Sequence, residues 1–161
     1  MSRLDSFIRR MMAQRACLDW AAAAIADIPG SVFELGLGNG RTYDHLREIL
    51  PDREIYVFEQ VIKAHPDCIP PDDRLFLGDA ARTMPEAVRR SGARAALVHS
   101  DLGTGDDAFN AEIARRMAPV IADVLAPGGI VVANIAMPHP GWTRLPEPEG
   151  VQPDRYFLYR R

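Results

Sequence analysis

The segment that most constrains this chain is Glu34-Leu35-Gly36-Leu37-Gly38-Asn39-Gly40-Arg41-Thr42. It follows a short apolar run, Ser31–Leu35, and precedes a helical pattern, Arg41–Leu50, that Pro51 ends. Glycines at alternate positions let the backbone turn sharply and lie against a ligand with no Cβ between them. The first amides of the following helix point into the same crevice. A strand feeding a helix through such a turn belongs to open α/β sheets, whose ligands bind outside the carboxyl ends of the strands.

The rest of the chain repeats that alternation. Glu54–Glu59, Arg74–Gly78, Arg94–Ser100 and Ile130–Ile135 read as strands, and Ala80–Arg90 and Asp107–Leu125 as helices. Short, continuous apolar runs suit strands buried on both faces. The expected fold is therefore an α/β, doubly wound, mostly parallel sheet. Residues 3–27 read as helix. Leu4, Phe7, Ile8, Met11 and Met12 recur at helical spacing, and Leu18, Ala21, Ala22 and Ile25 resume the stripe, with a kink between the two stretches left open. Pro29-Gly30 stops it. Pro66, Pro70 and Pro71 leave space for only about a turn or two of helix between Glu59 and Arg74. Met137–Pro153 holds five prolines and excludes much helix. It is expected to return the chain as a last strand, Asp154–Arg160, antiparallel beside the Ile130 strand. This makes about six strands. The organisation expected is one domain, residues 31–161, with an N-terminal helical segment, residues 1–30, packed on it.

With 161 residues, 47% apolar and 25% charged, the chain has ordinary globular composition for a single core. The net charge of -3 lacks the basic excess of a nucleic-acid binder, so no nucleic acid is expected as partner. No stretch has membrane-spanning length, and arginines interrupt the N-terminus before a signal-peptide core can form. Cys17 and Cys68 make neither a disulfide framework nor a zinc set, which points to reduced thiols and a cytoplasmic location. Lys63 is the one lysine, and nothing around it recommends Schiff-base chemistry.

The Gly-rich turn fails the dinucleotide fingerprint, because Arg41 stands where the third glycine belongs. Its form is E-x-G-x-G-x-G, which resembles motif I of the class I S-adenosylmethionine-dependent methyltransferases. Other segments match that family in order and spacing. Glu59 ends the second strand. Leu77-Gly78-Asp79-Ala80 follows the third, His99-Ser100-Asp101-Leu102-Gly103 ends the fourth, and Leu125-Ala126-Pro127-Gly128-Gly129-Ile130 introduces the fifth. The resemblance covers roughly residues 31–135. It implies S-adenosyl-L-methionine as cofactor, held by Glu34, Gly36, Gly38, Asn39, Gly40, Glu59, Asp79, Ala80 and Asp101. Glu59 would accept the ribose hydroxyls, and Asp79 with the Ala80 amide would meet the adenine. Asp79 also stands where the next helix needs an N-cap, and both roles are open.

The resemblance implies in-line methyl transfer to a small-molecule acceptor. Two other readings stand beside it: a non-catalytic cofactor-binding module of the same fold, and, less favoured, an NAD-linked oxidoreductase. Asp101 and His99 are the catalytic candidates, although His99 also fits a buried, hydrogen-bonded histidine near the end of an apolar strand. Asp101 can instead bind the cofactor's ammonium or a donor on the acceptor. His139 and Trp142, in the Pro-rich segment, are candidate substrate contacts, with a plain linker as the alternative. Asp101 and Asn134 resemble part of the carboxylate and amide set of metal-dependent O-methyltransferases. That set is incomplete, and no metal is expected. A homodimer is expected, because the pattern shows no seventh strand of the family's fold and an edge or apolar patch would need covering.

Overall fold

The computed structural model describes residues 2–161. One helix, α1 (Arg3–Ala24), precedes an alternation of strands and helices. These are β1 (Ser31–Leu35), α2 (Arg41–Ile49), β2 (Ile55–Glu59), β3 (Leu75–Leu77), α3 (Ala80–Ser91), β4 (Ala95–Ser100) and α4 (Asp107–Val124). Then come β5 (Leu125–Ala133), β6 (Thr143–Leu145) and β7 (Phe157–Arg160). Two short 3-10 turns, Pro66–Cys68 and Asp72–Arg74, fill the proline-limited connection from β2 to β3.

The seven strands form one sheet in the order β3-β2-β1-β4-β5-β7-β6. The first five pair in parallel, and β7 runs antiparallel to both β5 and β6. The expected antiparallel return is thus present, with Val131 opposite Tyr159. The strand count exceeds the expected six by one. The additional strand is β6, three residues between prolines, with no apolar alternation to mark it. With β6 in place the sheet has seven strands, and the missing strand is no longer a ground for dimerisation.

Helices cover both faces. Below α3 and α4, Phe33, Phe58, Phe76, Met84, Met117 and Ile121 belong to one buried cluster. Below α1 and α2, Cys17, Leu18, Ile25, Val32, Leu46 and Leu97 belong to another. The N-terminal segment is one unbroken helix. Its first turn is closed by a reciprocal cap, in which Ser2 Oγ accepts from the Asp5 amide at 3.0 Å and Asp5 Oδ2 accepts from the Ser2 amide at 3.1 Å. Its far end is held by Arg53, whose guanidinium donates to the carbonyls of Ile25, Ala26, Ile28 and Gly30 at 2.6–3.2 Å. The Ile25 carbonyl also accepts from the Ile28 amide, and the guanidinium adds a donor where the last carbonyls of a helix have no intrahelical partner.

The strand order reverses between β1 and β4, the neighbours at the centre of the sheet. Chains leave such a point in opposite directions, so a crevice opens there above the carboxyl ends of the strands.

Candidate active site

The turn after β1 needs its glycines. Gly36, Gly38 and Gly40 have φ of 86°, 51° and 82°, a region that residues with a Cβ enter only at a cost. At Gly40 a Cβ would also collide with Cys68. At Gly38 nothing lies within 4 Å of the place a Cβ would take. Gly38 lines a crevice of about 380 Å³, within the range of small-ligand sites. The crevice extends from this turn past the ends of β2 and β4, and α1 contributes Arg10, Met11 and Gln14 to its wall.

Two carboxylates face it. Glu59, the last residue of β2, accepts from the Gly38 amide at 3.1 Å through Oε2 and from the Gln60 amide at 2.6 Å through Oε1. Asp101, just past β4, accepts from Gln14 Nε2 at 3.3 Å through Oδ2. Its Oδ1 is buried with no partner among the described residues. A buried acceptor left without a donor is costly, so a ligand that donates there would be favoured. The loop carrying Asp101 is pinned by Asn134, whose side chain accepts from the Gly103 amide at 3.0 Å and donates to the Gly103 carbonyl at 3.3 Å. A Cβ at Gly103 would clash with Ile135, so the close approach requires glycine. Among the described residues, no group of three or more His, Cys, Asp or Glu side chains could hold a metal.

Glu34 is not at the crevice, contrary to the sequence expectation. It is the fourth residue of β1, fully buried, and one oxygen pairs with His99 Nδ1 at 2.6 Å. The other accepts from the Thr42 hydroxyl of α2. Both oxygens are therefore engaged within the fold rather than at the crevice. His99 is likewise fully buried, paired with Glu34 and not among the residues that line the crevice, the placement of a buried, hydrogen-bonded histidine. Burial opposes its imidazolium. The Glu34 carboxylate, helped by Asp101, outweighs that effect and shifts the His99 pKa upward.

Asp79 is the N-cap of α3, accepting from the Ala81 amide at 3.1 Å, and it pairs with Arg116. Both contacts use Oδ1. Asp79 and Ala80 lie beyond the main crevice, at the end of β3, which pairs with β2 through Glu59 and Leu77. His139 and Trp142 stand apart from the crevice. Trp142 packs on the buried cluster below α3 and α4, and its ring meets His139 and Tyr159 at 5.0 and 5.7 Å between centroids. The structure also brings in Arg10, Gln14 and Arg41, none of which stood out as site residues in the sequence. For Gln14 a signal existed: it is the polar member of the stripe Met11, Gln14, Leu18, Ala21, Ile25.

The sequence profile of the S-adenosyl-L-methionine methyltransferases matches residues 1–161, the whole chain. The chain belongs to this methyltransferase family. It is 50% identical to the S-adenosyl-L-methionine methyl transferase from Silicibacter pomeroyi DSS-3, over 100% of this chain and 99% of that one, with a TM-score of 0.92. TrmN from Thermus thermophilus shares 18% identity over 89% of this chain and 48% of that one, with a TM-score of 0.60. The fibrillarin pre-rRNA processing protein from Methanococcus jannaschii shares 15% over 81% and 65%, with a TM-score of 0.54. The last two likenesses show the fold alone. A search of curated proteins found no match. The methyltransferase therefore uses S-adenosylmethionine, and the readings as a non-catalytic module or an NAD-linked oxidoreductase fall away. The crevice fits this cofactor chemically. It offers an unpartnered carboxylate oxygen at Asp101, a second carboxylate at Glu59, and open space over a backbone turn without side chains.

Proposed function

We propose that this methyltransferase transfers a methyl group to a small-molecule acceptor seated beside Asp101, at the carboxyl end of β4. The observation that carries this reading is the buried Asp101 Oδ1, which lacks a partner at the wall of the crevice. S-Adenosylmethionine supplies an electrophilic methyl on a sulfonium, so the protein's task is to position the partners and keep water out. Glu59 would exchange its bond to the Gly38 amide for the ribose hydroxyls. The Gly36–Gly40 backbone, Asn39 included, would hold the ligand on its open side. Asp79 would offer Oδ2, which its cap and its ion pair leave free, to the adenine amino group, and the Ala80 amide would meet the ring. Arg41, the first residue of α2 and part of the crevice wall, would meet the amino-acid carboxylate. Asp101 takes the ammonium or a donor on the acceptor. It removes a proton only where the attacking atom starts protonated.

Four features support a small acceptor, a second copy and a cytoplasmic setting. The crevice is closed on one side by α1, and the net charge is -3. The outer face of α1 leaves Leu4, Phe7, Ile8 and Met12 exposed, an apolar surface suited to a homodimer. Both cysteines are free, which suits a reducing compartment.

The deciding experiment supplies methyl-labelled S-adenosylmethionine to the enzyme with small-metabolite fractions and, separately, with RNA, DNA and protein. Label in a small metabolite, lost in Asp101→Asn, is expected. Label confined to a macromolecule would overturn the acceptor class. Light scattering checks the second copy, and a monomer at high concentration would remove it.

A further inference from the structure

A second hollow, of about 330 Å³, adjoins the crevice and shares Arg10, Gly103 and Thr104 with it. Its remaining wall is Gly105, Asn134, Arg155 and Tyr156. We infer that this hollow binds an oxyanion on the methyl acceptor, a carboxylate or phosphate group, held between the guanidinium groups of Arg10 and Arg155 with the Tyr156 hydroxyl as a further donor. The inference rests on the methyltransferase reading of the adjoining crevice.

Charge is the first observation behind it. Arg10 projects from the α1 turn preceding Gln14, and Arg155 from the connection between β6 and β7. Neither has a carboxylate within ion-pair distance among the described residues. Of the three acids nearest Arg155 in sequence, two are engaged with Arg144, and the third, Glu149, borders a separate hollow that Arg155 also lines. Glu147 pairs with Arg144 and also accepts from the Asp154 amide, while Asp154 lies 3.8 Å from Arg144. Asp101 lies nearby and keeps its charge, since Gln14, the donor to its Oδ2, is neutral, but it forms no ion pair with either arginine. Two like charges on one hollow repel each other unless an anion lies between them. Guanidinium groups match carboxylate and phosphate oxygens in geometry as well as charge.

Burial is the second. Tyr156 is 1% exposed, and its hydroxyl has no hydrogen-bond partner among the described residues. Burial is the main influence holding that phenol protonated, and Asp101 adds to it. The hydroxyl therefore remains a donor at any working pH. A buried donor beside two cations suits an incoming oxyanion and would leave a neutral apolar group with an unmet cost.

The backbone just before Arg155 is held in a left-handed turn. Asp154 has φ of 57°, the one non-glycine residue with positive φ among those described. Such strain persists only where the surroundings hold it. Here the bond from the Asp154 amide to Glu147 does so, at 3.2 Å. The next residues then enter β7 with Tyr156 turned inward and buried.

The test does not need the acceptor's identity. The protein is first saturated with S-adenosylhomocysteine, so that the crevice is filled. It is then titrated with inorganic phosphate, with acetate and with neutral acetamide, following arginine Nε–Hε signals by NMR. Saturable binding of phosphate or acetate, with none of acetamide, is expected. Stronger binding of phosphate would mark a phosphate ester, and stronger binding of acetate a carboxylic acid. Arg155→Gln should weaken the anion at least roughly tenfold while S-adenosylhomocysteine affinity and thermal unfolding stay unchanged. Absence of binding by both anions, or binding that Arg155→Gln leaves intact, would overturn the inference. If S-adenosylhomocysteine itself does not bind, the cofactor reading is what fails. The anion titration of the unliganded protein then still decides the second hollow.

Discussion

Both faces of the sheet are roofed by helices, but they are made differently. Under α3 and α4 the packing is apolar. Phe33, Tyr56, Phe58 and Phe76 cross from β1 to β3 with ring centroids 4.9–6.0 Å apart. Under α1 and α2 the same central strands bury Glu34 and His99, with Thr42 of α2 as a third partner. Gln14 of α1 is buried as well and reaches Asp101. Buried ion pairs are weak stabilisers, because desolvation consumes most of their attraction. A face assembled only for stability would have been filled as the other is. The comparison teaches that one face holds the fold together while the other, which borders the crevice, holds polar groups at defined places.

Breaking each face should give losses of similar size with different remedies. Glu34→Ala is expected to cost about 3–5 kcal/mol, because it leaves the His99 imidazole buried without its acceptor and removes the partner of the half-buried Thr42 hydroxyl. Phe58→Ala on the apolar face should also cost about 3–5 kcal/mol, through lost contact and a cavity. Replacing Glu34 and His99 together by leucine should return most of the stability lost in Glu34→Ala. Urea unfolding checks all of these, and a double variant no better than the single one would show that the pair is not the reason for the loss.

Gly38→Val separates folding from binding. Forcing a β-branched residue to a positive φ costs roughly 1–2 kcal/mol of stability. The same side chain fills the open side of the turn, so cofactor affinity should drop by more than about 100-fold. Calorimetry beside thermal unfolding distinguishes the two effects.

A pH series sharpens the contrast. The His99 pKa is raised in the folded protein, which then binds the proton more tightly than the unfolded chain does. The resulting stabilisation is complete below the unfolded value, about 6.5, and is lost as pH rises through the folded value. Stability should therefore decline from about pH 6.5 upward in the wild type, and that slope should vanish in the Glu34, His99 double-leucine variant.

Gln14→Ala should have the smallest effect. Losing one hydrogen bond to a carboxylate, here a long one at 3.3 Å, is worth about 1.5 kcal/mol, the low end for a charged acceptor, or roughly tenfold in cofactor affinity. An unchanged affinity would confine Gln14 to packing α1 on the sheet.

How legible this was from sequence depends on range. The glycine turn, the five parallel strands and the antiparallel β7 follow from local patterns, since turn chemistry and apolar runs are properties of neighbouring residues. Pairings across the chain were not accessible. Glu34 and His99 are 65 residues apart and Gln14 and Asp101 are 87 apart, and nothing local says that they meet. Glu34 looked like a ligand contact because its place in the motif was visible while the partners that occupy it were not. β6 was hidden for another reason. Its three residues are set by pairing with β7 and carry little pattern of their own. Trp142 stood out as an aromatic in a loop, yet its ring packs against Tyr159 on the face away from the chemistry.

The central claim is that S-adenosylmethionine lies in the crevice between the turn after β1 and the end of β2. Calorimetric titration of the wild type and of Glu59→Ala tests it most directly. One molecule should bind per wild-type chain. Because bonds to a charged acceptor are worth roughly 1.5–3 kcal/mol, Glu59→Ala should weaken binding about 10- to 100-fold with thermal unfolding unchanged. Equal affinity in the two proteins would contradict the account and move the cofactor away from Glu59.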